Sequence, residues 1–370
     1  MNMRRIRPEI SSARAALRGA AVLFLFLAFA ASAALAYDRE ETLQKRLPLQ
    51  GAKRIIVTNS RGDVKVIGEK GRSDVFCEYT KSIRGRDQDE ADRLFNLMDI
   101  EVARAGSDIT ISVRYPDRSD RDRNILAMLV QHYAGLSVDL NIAVPPEIGV
   151  EIVSASGDIE LASMLGAAMI TSASGDVEAV GVGDLKVDVS SGDLTVSEVS
   201  GKAVLSSSSG SIEAHAIKGA LSVRSSSGEI ILSGLAGDLA VETSSGDVAV
   251  DGVRSVDYSG TSGSARFTGV RGAVTAIATS GDIEVDATPE LIANYEMRTS
   301  SGQVALTFER VLKGGFALKV RTTSGDISTT LPITVTKVGR HYLVGVVREG
   351  KSIVLLETAS GDIDVSEPEE

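Results

Sequence analysis

The chain has no tryptophan, one cysteine and three histidines, and aromatic residues make up only 4% of it. Each scarcity closes a route. A lone cysteine excludes an intramolecular disulfide. Cys77 sits between Phe76 and Glu78 in a strand-like run and reads as a small buried hydrophobe, not a nucleophile. His132, His215 and His341 are too far apart in sequence for local metal-ligand spacing, and no serine lies in a nucleophile elbow. Aromatic platforms for sugar rings are missing. Basic residues are also short, 39 against 50 acidic ones, for a net charge of −11. An acidic chain without a basic cluster argues against nucleic acid, and against holding anionic lipid by charge.

What the chain has instead is a repeat. Ser-x-Ser-Gly-Asp, or a close variant, recurs with its glycine at Gly157, Gly175, Gly192, Gly210, Gly228, Gly246, Gly263 and Gly281, in steps of 17 or 18 residues. The motif returns at Gly302, Gly325 and Gly361, and once early at Gly62. A period this strict marks a structural repeat. Within one unit, Ile230 and Leu232 alternate with outward positions, Leu235 follows, and Leu239 and Val241 alternate again toward Thr243 and Ser245. That pattern is two half-buried strands per repeat. Neither strand buries its face alone, so the units must stack. The prediction is an all-β fold: a parallel β-solenoid with two short strands per ~18-residue coil, plus one or two short inserted helices. The motif glycines are read as structural turn residues with positive φ. The serines and threonines before them are read as stacked inward hydroxyls bonding neighbouring coils.

Residues 1–36 read as a secretory signal. Arg4, Arg5, Arg7, Arg14 and Arg18 form a basic start, Ala20 to Ala31 an apolar core, and Ala34-Leu35-Ala36 a small-x-small cleavage site before Tyr37. No cysteine near that site suggests acylation, the apolar core is short for a membrane span, and no transmembrane segment is expected after cleavage. Removing five arginines and one glutamate leaves 39 − 5 = 34 basic and 50 − 1 = 49 acidic residues, a charge of −15. The expected organisation continues with an exposed leader over 37–50 and an N-terminal β cap with helical insertions over 51–146. Regular solenoid repeats follow over 147–330, then capping strands over 331–366 and a disordered tail over 367–370. Asp87 to Met98 reads as a short helix burying Ala91, Leu94, Phe95 and Met98. Asn124 to Leu136 is apolar almost all round a helix. It either packs on the solenoid or offers a partner contact through Ile125, Met128, Leu129 and Tyr133.

The residue after each motif glycine forms a column that includes Asp63, Asp158, Asp176, Asp193 and Asp247. Calcium requires six to eight oxygen ligands, and Ser211, Ser264 and Gln303 interrupt the column. The carboxylates are therefore read as acceptors for turn backbone, with no metal and no cofactor. Arg61-Gly62-Asp63 spells an attachment tripeptide but occupies the same turn register. The outward column beyond the aspartates includes Glu160, Glu178, Thr195, Glu213, Ile231 and Ala249, a mixture with no convergent acid–base set.

Taken in order, V-x-N-S-x-G-D-V-x-V, the short helix, V-P-P-E-I-x-V, the S-x-S-G-D-[IV] ladder and the closing I-V-L-L-E-T-A-S-G-D-I-D-V resemble a bacterial β-strand-repeat family. That family is labelled "putative adhesin", a domain-of-unknown-function group. The resemblance spans Lys53 to Val365. It implies a β-solenoid in the cell envelope, with no established reaction and no catalytic residues. The resulting reading is a non-catalytic, exported binding or scaffold module in the periplasm or at the cell surface, facing an envelope protein or glycan. A polysaccharide-active β-helix enzyme is one alternative, favoured by carboxylates and basic residues in one lateral cleft. A structural or stress-related envelope protein without its own ligand is the other.

Overall fold

In the computed structural model, which describes residues 37–85, 88–116, 135–288, 293–312 and 314–368, the period-2 segments form strands in the expected places. In the repeat that follows Gly228, Ile230–Ser233 and Asp238–Ser245 are the two strands. Ile230, Leu232, Leu235, Leu239 and Val241 are all buried. Ile230 pairs in parallel with Ile212 before it and Val248 after it, and Leu239 with Leu221 and Val256. Repeated along the chain, these pairings build one sheet of 15 strands and one of 16, with the apolar columns between them. The fold is thus an all-β, two-sheet parallel solenoid. Among the described residues no helix is long and apolar enough to cross a membrane.

The corner glycines answer to two constraints. Gly246 has φ +129°, and a Cβ there would lie 2.1 Å from the carbonyl oxygen of Gly228 in the coil before. The first is strained for any L side chain, and the second leaves no volume for one. The hydroxyl columns differ from expectation. Only the residue three before each glycine turns inward: Ser225 and Thr243 are buried, whereas Ser227 and Ser245 are exposed. The buried hydroxyls of Ser172 and Ser225 donate to carbonyls two residues on in their own turn, at 3.2 Å. Those of Thr299, Thr322 and Thr358 do reach the neighbouring coil's glycine carbonyl, at 3.0–3.1 Å.

Both ends break chain order. The first coil, Arg54–Asn59 with Val64–Gly68, is not outermost. It lies between the coil of Gly149–Ser154 and Ile159–Ala162 and an outer layer, later in sequence, of Asp108–Arg114 and Gly135–Val144. The last coil, Ser352–Ser360 with Ile363–Ser366, inserts between the coil of Tyr295–Ser301 and Val304–Phe308 and that of Phe316–Arg321 and Ile327–Thr329. Segment 331–366, expected to cap, therefore divides. Ile333–Gly339 and Tyr342–Val347 form an antiparallel extension at the edge, while the rest refills an interior slot.

The expected exposed leader is instead a 12-residue strand, Tyr37–Pro48, paired antiparallel along Asp74–Gly85. Its inward face hides its character because long cationic side chains do the covering. The Arg39 guanidinium lies 4.1 Å from the Phe95 ring centroid, and the Lys45 ammonium 5.7 Å from that of Tyr79. The helix Gln88–Leu97 packs on this pair of strands, burying Ala91, Leu94 and Phe95, with Met98 just beyond its end. Cys77 is buried beneath, and burial pushes its thiol up to about 12. Segment 124–136 lies outside the described residues except Gly135 and Leu136, which open the strand Gly135–Val144 instead of closing a helix. The signal segment 1–36 and residues 369–370 also lie outside them.

Two stability tests follow from this geometry. Gly246→Val should cost on the order of 3 kcal/mol through strained φ and lost clearance, whereas Ala249→Val, at an exposed strand position, should stay within about 0.5 kcal/mol. Equal denaturation midpoints would contradict the corner geometry. A chain ending at Gly350 should lose its cooperative thermal transition, since Val354, Leu356, Ile363 and Val365 are each 0% exposed and contribute about 1.5–3 kcal/mol apiece. An unchanged melting curve would show that the last coil is a removable end.

Candidate binding surface

The motif glycines, expected to be structural, do come together in one column. Its aspartates flank a lateral groove. Each carboxylate acts on the next coil and not on its own turn. Parallel coils about 4.8 Å apart bring the next backbone N–H in line with it. Asp158 N–H donates to Asp63 at 2.9 Å, Asp176 to Asp158 at 2.9 Å, Asp193 to Asp176 at 2.8 Å, and Ser211 to Asp193 at 2.8 Å. The ladder resumes from Asp247 to Ser264 and from Asp282 to Gln303. It follows spatial order at the ends as well: Asp63 N–H donates to Asp139, and Asp326 N–H to Asp362. Asp139, on the outer layer, has its carboxyl pushed above the usual range by burial. Among the described residues, no group of three or more His, Cys, Asp or Glu is placed to hold a metal ion.

The Arg-Gly-Asp tripeptide is absorbed by the same architecture. Asp63 is a rung of the ladder, and the Gly62 carbonyl oxygen lies 2.3 Å from where a Cβ on Gly157 would be. Buried Asn59, in the hydroxyl column of this coil, donates to the carbonyls of Val138 at 2.8 Å and Gly62 at 3.1 Å, tying the first coil to the outer layer.

Beyond the aspartates, the outward column of the 15-stranded sheet runs Lys65, Glu160, Glu178, Thr195 on adjacent strands. Lys65 pairs with Glu160 at 2.6 Å. With the aspartates these residues line a groove of about 700 Å³. The opposite sheet carries a smaller groove of about 420 Å³ lined by Ser206, Ser208, Ser226 and Ser244, in which Arg224 pairs with Glu242 at 2.9 Å. His215 faces outward, with Nε2 3.0 Å from Glu213 and Nδ1 2.7 Å from Ser233. These are open, solvated strips of hydrogen-bonding groups, suited to holding an extended polar ligand. The contact residues read from sequence, Ile125, Met128, Leu129 and Tyr133, lie outside the described residues.

The family profile Toastrack DUF4097 matches residues 39–253 and 235–366. The chain belongs to the Toastrack family. The resemblance read from the motif order therefore holds, since this is a family defined by a domain of unknown function. No curated protein matches the Toastrack chain. Among solved structures it is similar to a "putative adhesin" from Parabacteroides distasonis, at 14% identity over 72% of this chain and 97% of that one, TM-score 0.37. It is also similar to a "putative lipid binding protein" from the same species, at 14% identity over 88% and 96%, TM-score 0.33. A third is a "putative cell adhesion protein" from Clostridium sporogenes, at 9% identity over 89% and 100%, TM-score 0.22.

The ladder can be tested in this Toastrack chain without knowing a ligand. Asp176→Asn keeps an oxygen acceptor and should melt like the parent, whereas Asp176→Ala should cost about 1 kcal/mol. A chelator should leave both midpoints unchanged. A large chelator-induced drop would point to a bound cation.

Proposed function

We propose that the protein is an exported, non-catalytic binding scaffold of the cell envelope, in the periplasm or at the cell surface, for an envelope protein or glycan. One observation carries the reading. The inward columns stay apolar from coil to coil while the outward columns change chemistry at nearly every step. Lys65, Glu160, Glu178, Thr195, Glu213, Ile231 and Ala249 follow one another in register. Of the 15 strands of that sheet, two pair antiparallel at one end, leaving 15 − 2 = 13 in parallel. At the usual strand spacing that is a rigid face roughly 60 Å long, long enough to read an extended partner. The basic start, apolar core and small-x-small site of residues 1–36 support export.

One observation favours the polysaccharide-active alternative: Glu160 and Glu178 are direct neighbours across adjacent strands, with Lys65 beside Glu160 on its other side. Carboxylates in one lateral cleft are what such an enzyme would need.

A reporter enzyme active only outside the cytosol, fused to the C-terminus, should be active in cells, and the recovered protein should begin at or near Tyr37. Recovery of Met1 with a silent reporter would defeat the export reading. Incubating the protein with envelope polysaccharides should give retention without new reducing ends. Product formation lost in Glu160→Gln or Glu178→Gln would establish the enzyme instead.

A further inference from the structure

The 16-stranded sheet runs past the end of its partner through the antiparallel strands Tyr342–Val347 and Ile333–Gly339, added to Phe316–Arg321. Register fixes what its outward face displays. Lys319 and Lys337 flank Val344 from either side, Arg321 is beside Tyr342, and Ala317 lies between Val346 and Ile353. Tyr342, Val346 and Ile353 are 46%, 38% and 43% exposed. Among the described residues, Lys319, Arg321 and Lys337 have no ion-pair partner, and Glu357, in register with Arg321 on the neighbouring strand, is engaged by Arg298 at 3.4 Å.

The segment that builds this face differs in charge from the rest of the chain. From Phe316 to Val347 there are four basic residues, Lys319, Arg321, Lys337 and Arg340, against one acidic residue, Asp326, a net of +3. The remainder carries −11 − 3 = −14. No basic run appears in the sequence because Lys319 and Lys337 are 18 positions apart and meet only through the hairpin.

We propose that this basic–apolar face docks the protein onto a bilayer containing anionic phospholipid. Cationic side chains interleaved with exposed aliphatics and a tyrosine match an interface of phosphate headgroups over acyl chains. The acidic body is repelled by the same surface, so only this face approaches it. A second copy adding on by strand pairing is disfavoured. The edge strand Ile333–Gly339 begins after Pro332, carries Lys337, and has a register irregularity between Val335 and Lys337, each of which obstructs edge-to-edge pairing. Nucleic acid would be held by charge alone, without the apolar contacts this face offers. The inference rests on reading the chain as a binding scaffold, but an unexported chain that still bound vesicles would separate the two.

The test is flotation of the full chain with vesicles of phosphatidylcholine, or of phosphatidylcholine mixed with phosphatidylglycerol. The parent should float with the anionic vesicles and much less with the neutral ones, and should be released by salt. Lys319→Gln, Arg321→Gln and Lys337→Gln combined should reduce partitioning on the order of a hundredfold, at about fivefold per charge, and Lys337→Gln alone by about fivefold. A charge-matched control on exposed coil positions, Lys186→Gln with Lys202→Gln and Lys218→Gln, should bind like the parent. Parent-like binding by the triple variant, or equal binding of both vesicle types, overturns the proposal. So does parent self-association without vesicles that the triple variant abolishes, because the face would then join two copies.

Discussion

Everything in this fold follows from how closely two coils approach at the glycine corner. From Gly62 under Gly157 to Gly361 under Gly325, the carbonyl oxygen of one glycine lies 2.0–2.3 Å from the place a Cβ on the next would occupy. No other residue can stand there without displacing backbone. With the corners seated, the strands on either side fall into parallel register, the aspartate after each glycine meets the next coil's N–H, and the inward side chains stack in columns. The contact follows spatial neighbours and not chain neighbours: Gly325 sits on Gly361, and Gly361 on Gly302. The corner is therefore a docking rule that any coil can satisfy, including one that arrives last.

That generality explains what the sequence could and could not disclose. The period, the two strands per coil and the inward columns were legible because apolar residues at the positions of Ile230, Leu232, Leu239 and Val241 recur in phase from coil to coil. The slot of each end coil was not. A coil bearing Ser-Gly-Asp-Ile at Gly361 fits an interior position as well as a terminal one, and motif spacing carries no information about which. The strand Tyr37–Pro48 was hidden because Arg39 and Lys45 cover aromatic rings with their cationic side chains, so its sequence reads as polar. Of the surface, the mixed outward column was readable residue by residue. The basic face was not, because its charges are assembled by antiparallel pairing across a hairpin.

The core is not a uniform column, and a large irregularity in it shows how coils compensate for one another. Tyr258 enters a position held by Val241 and Ala276 in the adjacent coils. Its hydroxyl occupies the space where the hydroxyl column would continue, since a Cβ on Gly260 would lie 2.0 Å from it. The column accordingly reads Thr243, Gly260, Ala278, Thr299: the volume removed from two coils is what the phenol fills. Phe267, packed edge-on at 5.6 Å, completes the exchange on the opposite sheet. A repeat protein can thus trade volume between neighbours while keeping every corner in place.

Parallel solenoids face a particular difficulty at their ends, where a terminal coil presents an unpaired edge and an uncovered core. Both ends of this chain meet it by reversing strand direction. At the N-terminal end, Tyr37–Pro48 and Asp74–Gly85 turn the 15-stranded sheet antiparallel, and the helix covers the core with Phe95 and Leu94. At the C-terminal end no helix among the described residues does this. Closure falls instead to the antiparallel pair and to Leu343 and Val347 on its inner face. The extension leaves Val335 and Val338 exposed beyond the last strand of the other sheet. Because the final coil returns to the interior, the polypeptide's last strands are locked between two others, and fraying from the C-terminus requires opening the stack. The end with no helical cover among the described residues is therefore held by topology, and its outer strands are left free to carry a surface unlike the rest of the molecule.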